Sequence, residues 1–193
     1  MKPHLNITGD AAADRLLSDS PFALLVGMLL DQQVAMEQAF SGPQKIVERV
    51  GALDERALAE HDPDALVDVF RQSPAVHRYP GSMADRLRTL AGHVVEHWGG
   101  RTEAIWTEGD PDGAEVLRRL KALPGFGEQK AKIFLALLGK QYGFTGAGWR
   151  EAAGDYGAEG SYRSVADITD AESLARVRAT KQAAKAAAKG AKP

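Results

Sequence analysis

Hydrophobic residues in this chain recur at helical spacing, and no stretch shows convincing strand-like alternation of apolar and polar positions. The longest apolar run covers residues 22–30 and ends in the polar stretch 31–33. Because it is apolar on nearly all faces, it predicts a buried central helix, which Ser20 and Pro21 begin as cap and first-turn proline. The best strand candidate, 66–70, fits a helix equally well. The pattern therefore predicts an all-α fold.

Further helical patterns cover 8–18, 35–50, 54–59, 62–70, 84–98, 101–107 and 112–122. We expect Thr8, Asp54 and Asp62 to cap the first, third and fourth of these, and we expect an interruption of the second near residues 41–43. Residues 142–163 are rich in glycine and aromatic residues without a clear period, which predicts an irregular segment that packs against the core.

The chain turns a sharp corner at Leu123-Pro124-Gly125-Phe126-Gly127, between two helical patterns. Pro124 ends the first helix, and the two glycines supply positive φ or a close backbone approach. The unpaired N–H groups at the start of the second helix form a potential anion site, with Lys130 and Lys132 in its first turns. An ordinary helical hairpin with a glycine C-cap would show the same local features.

This corner, with Lys130 and Ala131 after it, resembles the helix-hairpin-helix element of the HhH-GPD superfamily of base-excision DNA glycosylases. That group includes endonuclease III, the adenine glycosylases and the 3-methyladenine glycosylases. The Leu-Leu-x-x-Gln end of the central helix resembles a second landmark, in which Gln33 takes the position beside the DNA lesion. The order of elements is similar to the family's from about Phe22 to Gly139.

The resemblance implies two helical lobes with a central cleft. A six-helix lobe would cover 22–139, a second lobe would combine 1–21 with 140–180, and a Lys/Ala-rich tail would cover 181–193. The helix from Ala171, capped by Thr169 and Asp170, runs into this tail, which has high helix propensity but no apolar face. A solvated or frayed end is the first interpretation of the tail, and a DNA-clamping arm is the alternative.

The resemblance also implies a set of site residues. The DNA-binding set is Gly125, Phe126, Gly127, Gln129, Lys130, Lys132, Gln33 and Ser82, and the base pocket would contain Trp149, Tyr156 and Gln32. His77 fits either a phosphate or base contact or a packed, capping residue.

Cleavage of a base–sugar bond passes through a cation-like sugar, which a carboxylate stabilises. In the family register Ala147 occupies the position of the catalytic Asp, so the candidates are, in order, Glu151, Asp155 and Asp31. Gln129 occupies the position of the nucleophilic lysine of the strand-cleaving members. Lys130 follows one residue later, about 100° further round the helix. We therefore expect a monofunctional glycosylase, without lyase activity.

Two alternatives stay open. A non-catalytic helix-hairpin-helix protein would bind DNA and excise nothing. A helical protein–protein module would show no salt-dependent affinity for DNA.

The composition restricts the possible binding surfaces and cofactors. The 193 residues carry a net charge of −2, so any phosphate-binding surface must be local. The chain has no cysteine, which excludes disulfides, a thiol nucleophile and the cysteine-ligated iron–sulfur cluster of several relatives. No apolar run reaches membrane-span length. We expect a cytoplasmic, nucleoid-associated monomer that acts on double-stranded DNA with a damaged base and needs no cofactor or metal.

Overall fold

The computed structural model describes residues 3–190, which form eleven α-helices and no β-strand, so the all-α prediction is confirmed. The helices are α1 (Ala11–Asp19), α2 (Pro21–Leu30), α3 (Met36–Val50), α4 (Glu55–Glu60), α5 (Pro63–Arg71), α6 (Pro80–Trp98), α7 (Ala104–Thr107), α8 (Gly113–Lys121), α9 (Glu128–Gln141), α10 (Trp149–Ala153) and α11 (Ala171–Gly190). Among these described helices none is both long and apolar enough to cross a membrane.

Helix α2 lies at the centre of the fold, as its apolar sequence predicts. Every residue from 22 to 30 is buried, and the helix packs against α1, α3 and α6. The Ser20 hydroxyl accepts a hydrogen bond from the Ala23 N–H at 3.1 Å, and Pro21 occupies the first turn. A second buried helix, α9, contains seven buried apolar residues and packs against α8 and α10. The C-terminal end of α2 and the N-terminal end of α9 both contribute residues to the site described below.

The predicted helix boundaries need three corrections. Helix α3 continues through Pro43 without an interruption, and Gly42 lets it lie close to α2, since an added Cβ would meet Leu30 Cδ1 at 2.4 Å. Helix α6 begins at Pro80, one turn before the predicted start. Asp10, not Thr8, caps α1, since its carboxylate accepts from the Ala13 N–H.

The segment 142–163 packs against the core, as its aromatic residues predict, and it is more regular than expected. It contains α10 and a 3-10 turn at Gly154–Gly157. The Trp149 ring lies against Gly139, where an added Cβ would come within 2.4 Å of the ring. Gly113 has the same role on α8, since its Cβ would meet the Trp149 backbone at 2.2 Å. Two glycines therefore let this segment lie directly on α8 and α9.

Candidate active site and nucleic-acid interface

The hairpin joins α8 to α9 through a corner at residues 122–127. Gly125 has φ +82°, and a Cβ there would meet Leu29 Cδ1 at 2.8 Å. Glycine is thus required twice, by the left-handed backbone and by the close approach to the end of α2. The Phe126 N–H donates to the Leu123 carbonyl, and the Phe126 ring packs edge-on against Phe134 in the core. The corner is therefore fixed against α2 by its apolar side.

Gly127 differs from the expectation of a positive φ or a tight fit. Its φ is −78°, which any residue can adopt, and no atom lies within 4 Å of the position of a Cβ. It is the N-cap of α9, and no side chain caps the first N–H groups of that helix. Neither the backbone nor the packing of this protein requires a glycine at this position. Its effect is to leave the amides at the start of α9 open to solvent.

The charges around this helix start are mixed. Lys132 pairs with Glu128 at 2.8 Å, and Lys121 approaches the same carboxylate at 3.7 Å. The hydrogen bond from Lys132 lowers the pKa of the exposed Glu128. A phosphate that reaches the open amides would meet both lysines and would compete with Glu128 for them.

The polar residues 31–33 end α2 and turn towards the hairpin. The Asp31 N–H donates to the Gly27 carbonyl, and the half-buried Asp31 carboxylate lines a cleft described below. The Gln32 side chain is held at both ends, by the Leu29 carbonyl at 2.9 Å and by Arg86 at 2.7 Å. Gln33 has φ +58°, an uncommon conformation for a residue with a side chain, and its amide is exposed.

His77 holds this turn in place through hydrogen bonds to the backbone. It is fully buried, its Nδ1 accepts from the Tyr79 N–H at 3.1 Å, and its Nε2 lies 3.0 Å from the Gln32 carbonyl. These partners make Nε2 the protonated nitrogen, and burial lowers the pKa of the ring. The Tyr79 hydroxyl also donates to Gln33 Oε1 at 3.3 Å. His77 thus has the packed role, and it holds Gln32 and Gln33 in place.

Lys130 connects the hairpin helix to the end of α2. Its Nζ donates to the Leu29 carbonyl at 2.9 Å, and it lies over the Phe126 ring. Burial lowers the pKa of Lys130 to about 8, against the opposing effect of the nearby Asp31 carboxylate. Burial also raises the pKa of Asp31, while the charges of Lys181 and Lys130 act to lower it. A carboxylate and an amine with displaced pKa values therefore line the same cleft and act on each other electrostatically.

These groups open into a cleft of about 1180 Å³ between the end of α2, the start of α3, the start of α9 and helix α11. Six cationic side chains and two carboxylates line it: Arg78, Lys130, Arg163, Arg178, Lys181 and Lys185 against Asp31 and Glu37. The whole chain carries a net charge of −2, so the positive charge is concentrated in this cleft. A phosphate-bearing ligand is the partner that such a lining favours.

The cleft brings some of the sequence-predicted residues together and leaves others outside. Asp31, Gln32, Gln33, Gln129, Lys130 and Tyr156 line it, and Gln129 Nε2 donates to the Tyr156 hydroxyl at 2.8 Å. Glu151 and Asp155 are exposed and lie outside its described lining, and Asp155 pairs with Arg163. Trp149 is packed against α8 and α9, and Ser82 is exposed in the first turn of α6.

Several cleft residues are absent from the site residues that the sequence predicted. Arg178, Lys181 and Lys185 recur at helical spacing, so the pattern of the tail contained a detectable signal for them. Arg86 and Glu37 gave none, because only the tertiary structure brings them to the end of α2.

An all-helical chain with an open helix-hairpin-helix corner beside a cationic cleft has the features of a nucleic-acid-binding protein. The family model described as HhH-GPD superfamily base excision DNA repair protein matches residues 26–192, and the chain belongs to this superfamily. Membership of this base-excision DNA repair superfamily implies that the partner of the chain is DNA. No curated protein matches the chain significantly.

Proposed function

We propose that this protein is a monofunctional DNA glycosylase that hydrolyses the N-glycosidic bond of a damaged base, with Asp31 as its catalytic carboxylate. The observation that carries the proposal is the position of Asp31, which is half-buried in the cationic cleft that Lys130 of the hairpin helix also lines. A carboxylate fixed in a low-dielectric cleft stabilises the cation-like sugar far better than one in water. Asp31 therefore precedes Glu151 and Asp155 in the proposal, which reverses the order favoured by the sequence.

The remaining residues have roles in binding. The open amides at the start of α9 hold a phosphate of the DNA backbone, together with Lys132. Gln33 projects from its left-handed turn and occupies the space that a base leaves when it swings out of the stack. The DNA lies in the groove between a 22–139 lobe and a second lobe formed from 1–21 and 140–180.

The absence of lyase activity is supported by Gln129, which lacks an amine at the position of the family's nucleophile. Its side chain is instead bonded to Tyr156. Lys130 is the amine inside the cleft, and its hydrogen bond to the Leu29 carbonyl holds it against α2. Its proposed role is to keep Asp31 ionised. Borohydride trapping of an enzyme–DNA adduct that disappears in Lys130→Met would overturn this part of the proposal.

A panel of duplexes, each with one oxidised, deaminated or alkylated base, tests the function directly. We expect an alkali-labile abasic site from at least one lesion and no strand break before alkali treatment. The non-catalytic alternative is favoured by Ala147, which stands where the family has its Asp. It predicts salt-dependent binding to every duplex in the panel and an abasic product from none.

The pH profile of excision should be bell-shaped. The acidic limb lies above the ordinary carboxyl pKa of 3.8, because burial and Glu37 raise the pKa of Asp31 more than Lys181 and Lys130 lower it. Activity is lost as pH falls through this raised value, since the carboxylate is then protonated. The alkaline limb lies near pH 8, where Lys130, whose charge is coupled to Asp31 and Arg86, loses its proton and with it the positive charge that the cleft offers to the DNA backbone.

Single-turnover rates between pH 4 and 10 check this profile. Lys130→Arg should move the alkaline limb upwards, because arginine stays protonated throughout this range. Lys130→Met should move the acidic limb upwards, because Asp31 then lacks a cation that lowers its pKa. Identical profiles for the wild type and both variants would show that these two groups do not control the rate.

A further inference from the structure

Helix α11 has an anchored first half and a second half without apolar contacts. Ser173 and Val177 are buried and Leu174 is partly buried, which fixes the first two turns on the protein. Between residues 178 and 190 the sequence contains only Ala, Gly, Thr, Gln, Lys and Arg, and nearly every described side chain is exposed. At about 1.5 Å per residue this part projects roughly 20 Å along one edge of the cleft. Hydrophobic burial therefore does not explain why it lies there.

The face that α11 turns towards the cleft is cationic. Arg178, Lys181 and Lys185, spaced three and four residues apart, line the cleft and form what we call the cationic stripe. Arg178 forms an ion pair with Glu37, and the half-buried Lys181 acts on Asp31 without a direct contact. Lys185 has no ion-pair partner among the described residues. The protein thus neutralises the stripe only in part.

We propose that the cationic stripe of α11 is a second DNA-backbone site, which binds phosphates on the side of the cleft opposite the hairpin. The hairpin residues Gln129 and Lys130 line one wall of the cleft, and the stripe lines another. A strand held by the amides of α9 therefore passes within reach of the lysines of α11. The proposal rests on the proposed DNA-binding role of the cleft and adds a contact that the hairpin does not provide.

The physical basis is the release of counterions from DNA. Each phosphate that a cation neutralises contributes about 0.9 to the slope of log affinity against log salt concentration. The second half of α11 has no apolar face and its stripe is neutralised only in part, so it gains further binding energy when such a polyanion arrives. We therefore expect the second half of α11 to be more ordered on DNA than in the free protein.

The test is the salt dependence of binding to an undamaged duplex, measured by fluorescence anisotropy between about 50 and 200 mM salt. The double variant Lys181→Gln/Lys185→Gln should reduce the magnitude of the slope by about 1.8 and raise Kd about tenfold at the lower salt concentration. The matched control is Arg15→Gln/Arg71→Gln, which removes the same charge from exposed residues outside the cleft lining. Its slope should stay within about 0.5 of the wild type.

Three results would overturn the inference. Equal slopes for the stripe variant and the wild type would mean that the lysines do not reach DNA. A stripe variant that binds more tightly would mean that α11 closes the cleft against DNA. Equal losses in the stripe variant and the control would mean that only the total charge matters. The lesion panel is scored separately, so a wild type that binds with the expected slope and excises nothing contradicts only the proposed catalysis.

Discussion

Asp31→Asn should reduce the single-turnover rate of base excision by at least about 100-fold, the loss expected when a fixed electrostatic group is removed from an active site. Asparagine keeps the shape of the side chain and removes the negative charge that stabilises the sugar cation. Because burial raises the pKa of Asp31, replacing the charge does not cost the fold its stability. The midpoint of thermal unfolding and the affinity for undamaged DNA should therefore both stay at the wild-type values.

Glu151→Gln and Asp155→Asn are the matched controls for this experiment. Both carboxylates are exposed and lie outside the cleft lining, so we expect excision rates within about twofold of the wild type for each. If excision persists in Asp31→Asn and disappears in Glu151→Gln, the carboxylate is the one favoured by the sequence. In that case α10 must move towards the DNA when it binds.

Gly127→Ala should weaken binding to an undamaged duplex about tenfold, the effect of losing one charge-assisted hydrogen bond between a backbone amide and a phosphate. The methyl group would stand beside the open N–H groups at the start of α9 and hold the phosphate away from them. The fold should tolerate the change, since φ is −78° and no atom lies within 4 Å. Alanine is a poorer N-cap than glycine, and this difference lowers the stability of the protein by at most about 1 kcal/mol.

The control is Gly92→Ala, within α6, where a Cβ also meets no atom within 4 Å. This change should stabilise the protein by about 0.5–1 kcal/mol, because alanine favours a helix over glycine, and it should leave DNA affinity unchanged. Fluorescence anisotropy and thermal unfolding, measured on both variants, separate affinity from stability. Wild-type affinity in Gly127→Ala would show that the hairpin amides do not hold the backbone, which is the outcome expected of a protein–protein module.

The architecture was predictable because it is written in local signals. The apolar run 22–30, with Ser20 and Pro21 before it, determines a buried helix that begins at one place. Asp54, Asp62 and Asp170 each cap the helix that follows them, as their positions indicate. The hairpin was predictable because a proline and a left-handed glycine restrict the backbone whatever surrounds them.

The identity of the cleft residues was less accessible, because distance along the chain says little about distance in space. Nothing local to Asp31 reveals that Lys130 and Lys181, from two distant helices, lie near it. Trp149 is the opposite case, a residue that the sequence predicted for the site and that packs on the core. Its aromatic ring suggested a base pocket, yet Gly113 and Gly139 allow it to pack directly on α8 and α9.

The sequence by itself determined an all-α chain with a helix-hairpin-helix corner, because helical periodicity, caps and a proline–glycine turn act over a few neighbouring residues. The tertiary structure alone decided which of the three candidate carboxylates lies in the cleft and which lysines line it with that carboxylate. It also placed the tail of α11 along that cleft. Burial and the electrostatic field at a side chain are sums over residues from many parts of the chain, and only the folded arrangement determines those sums.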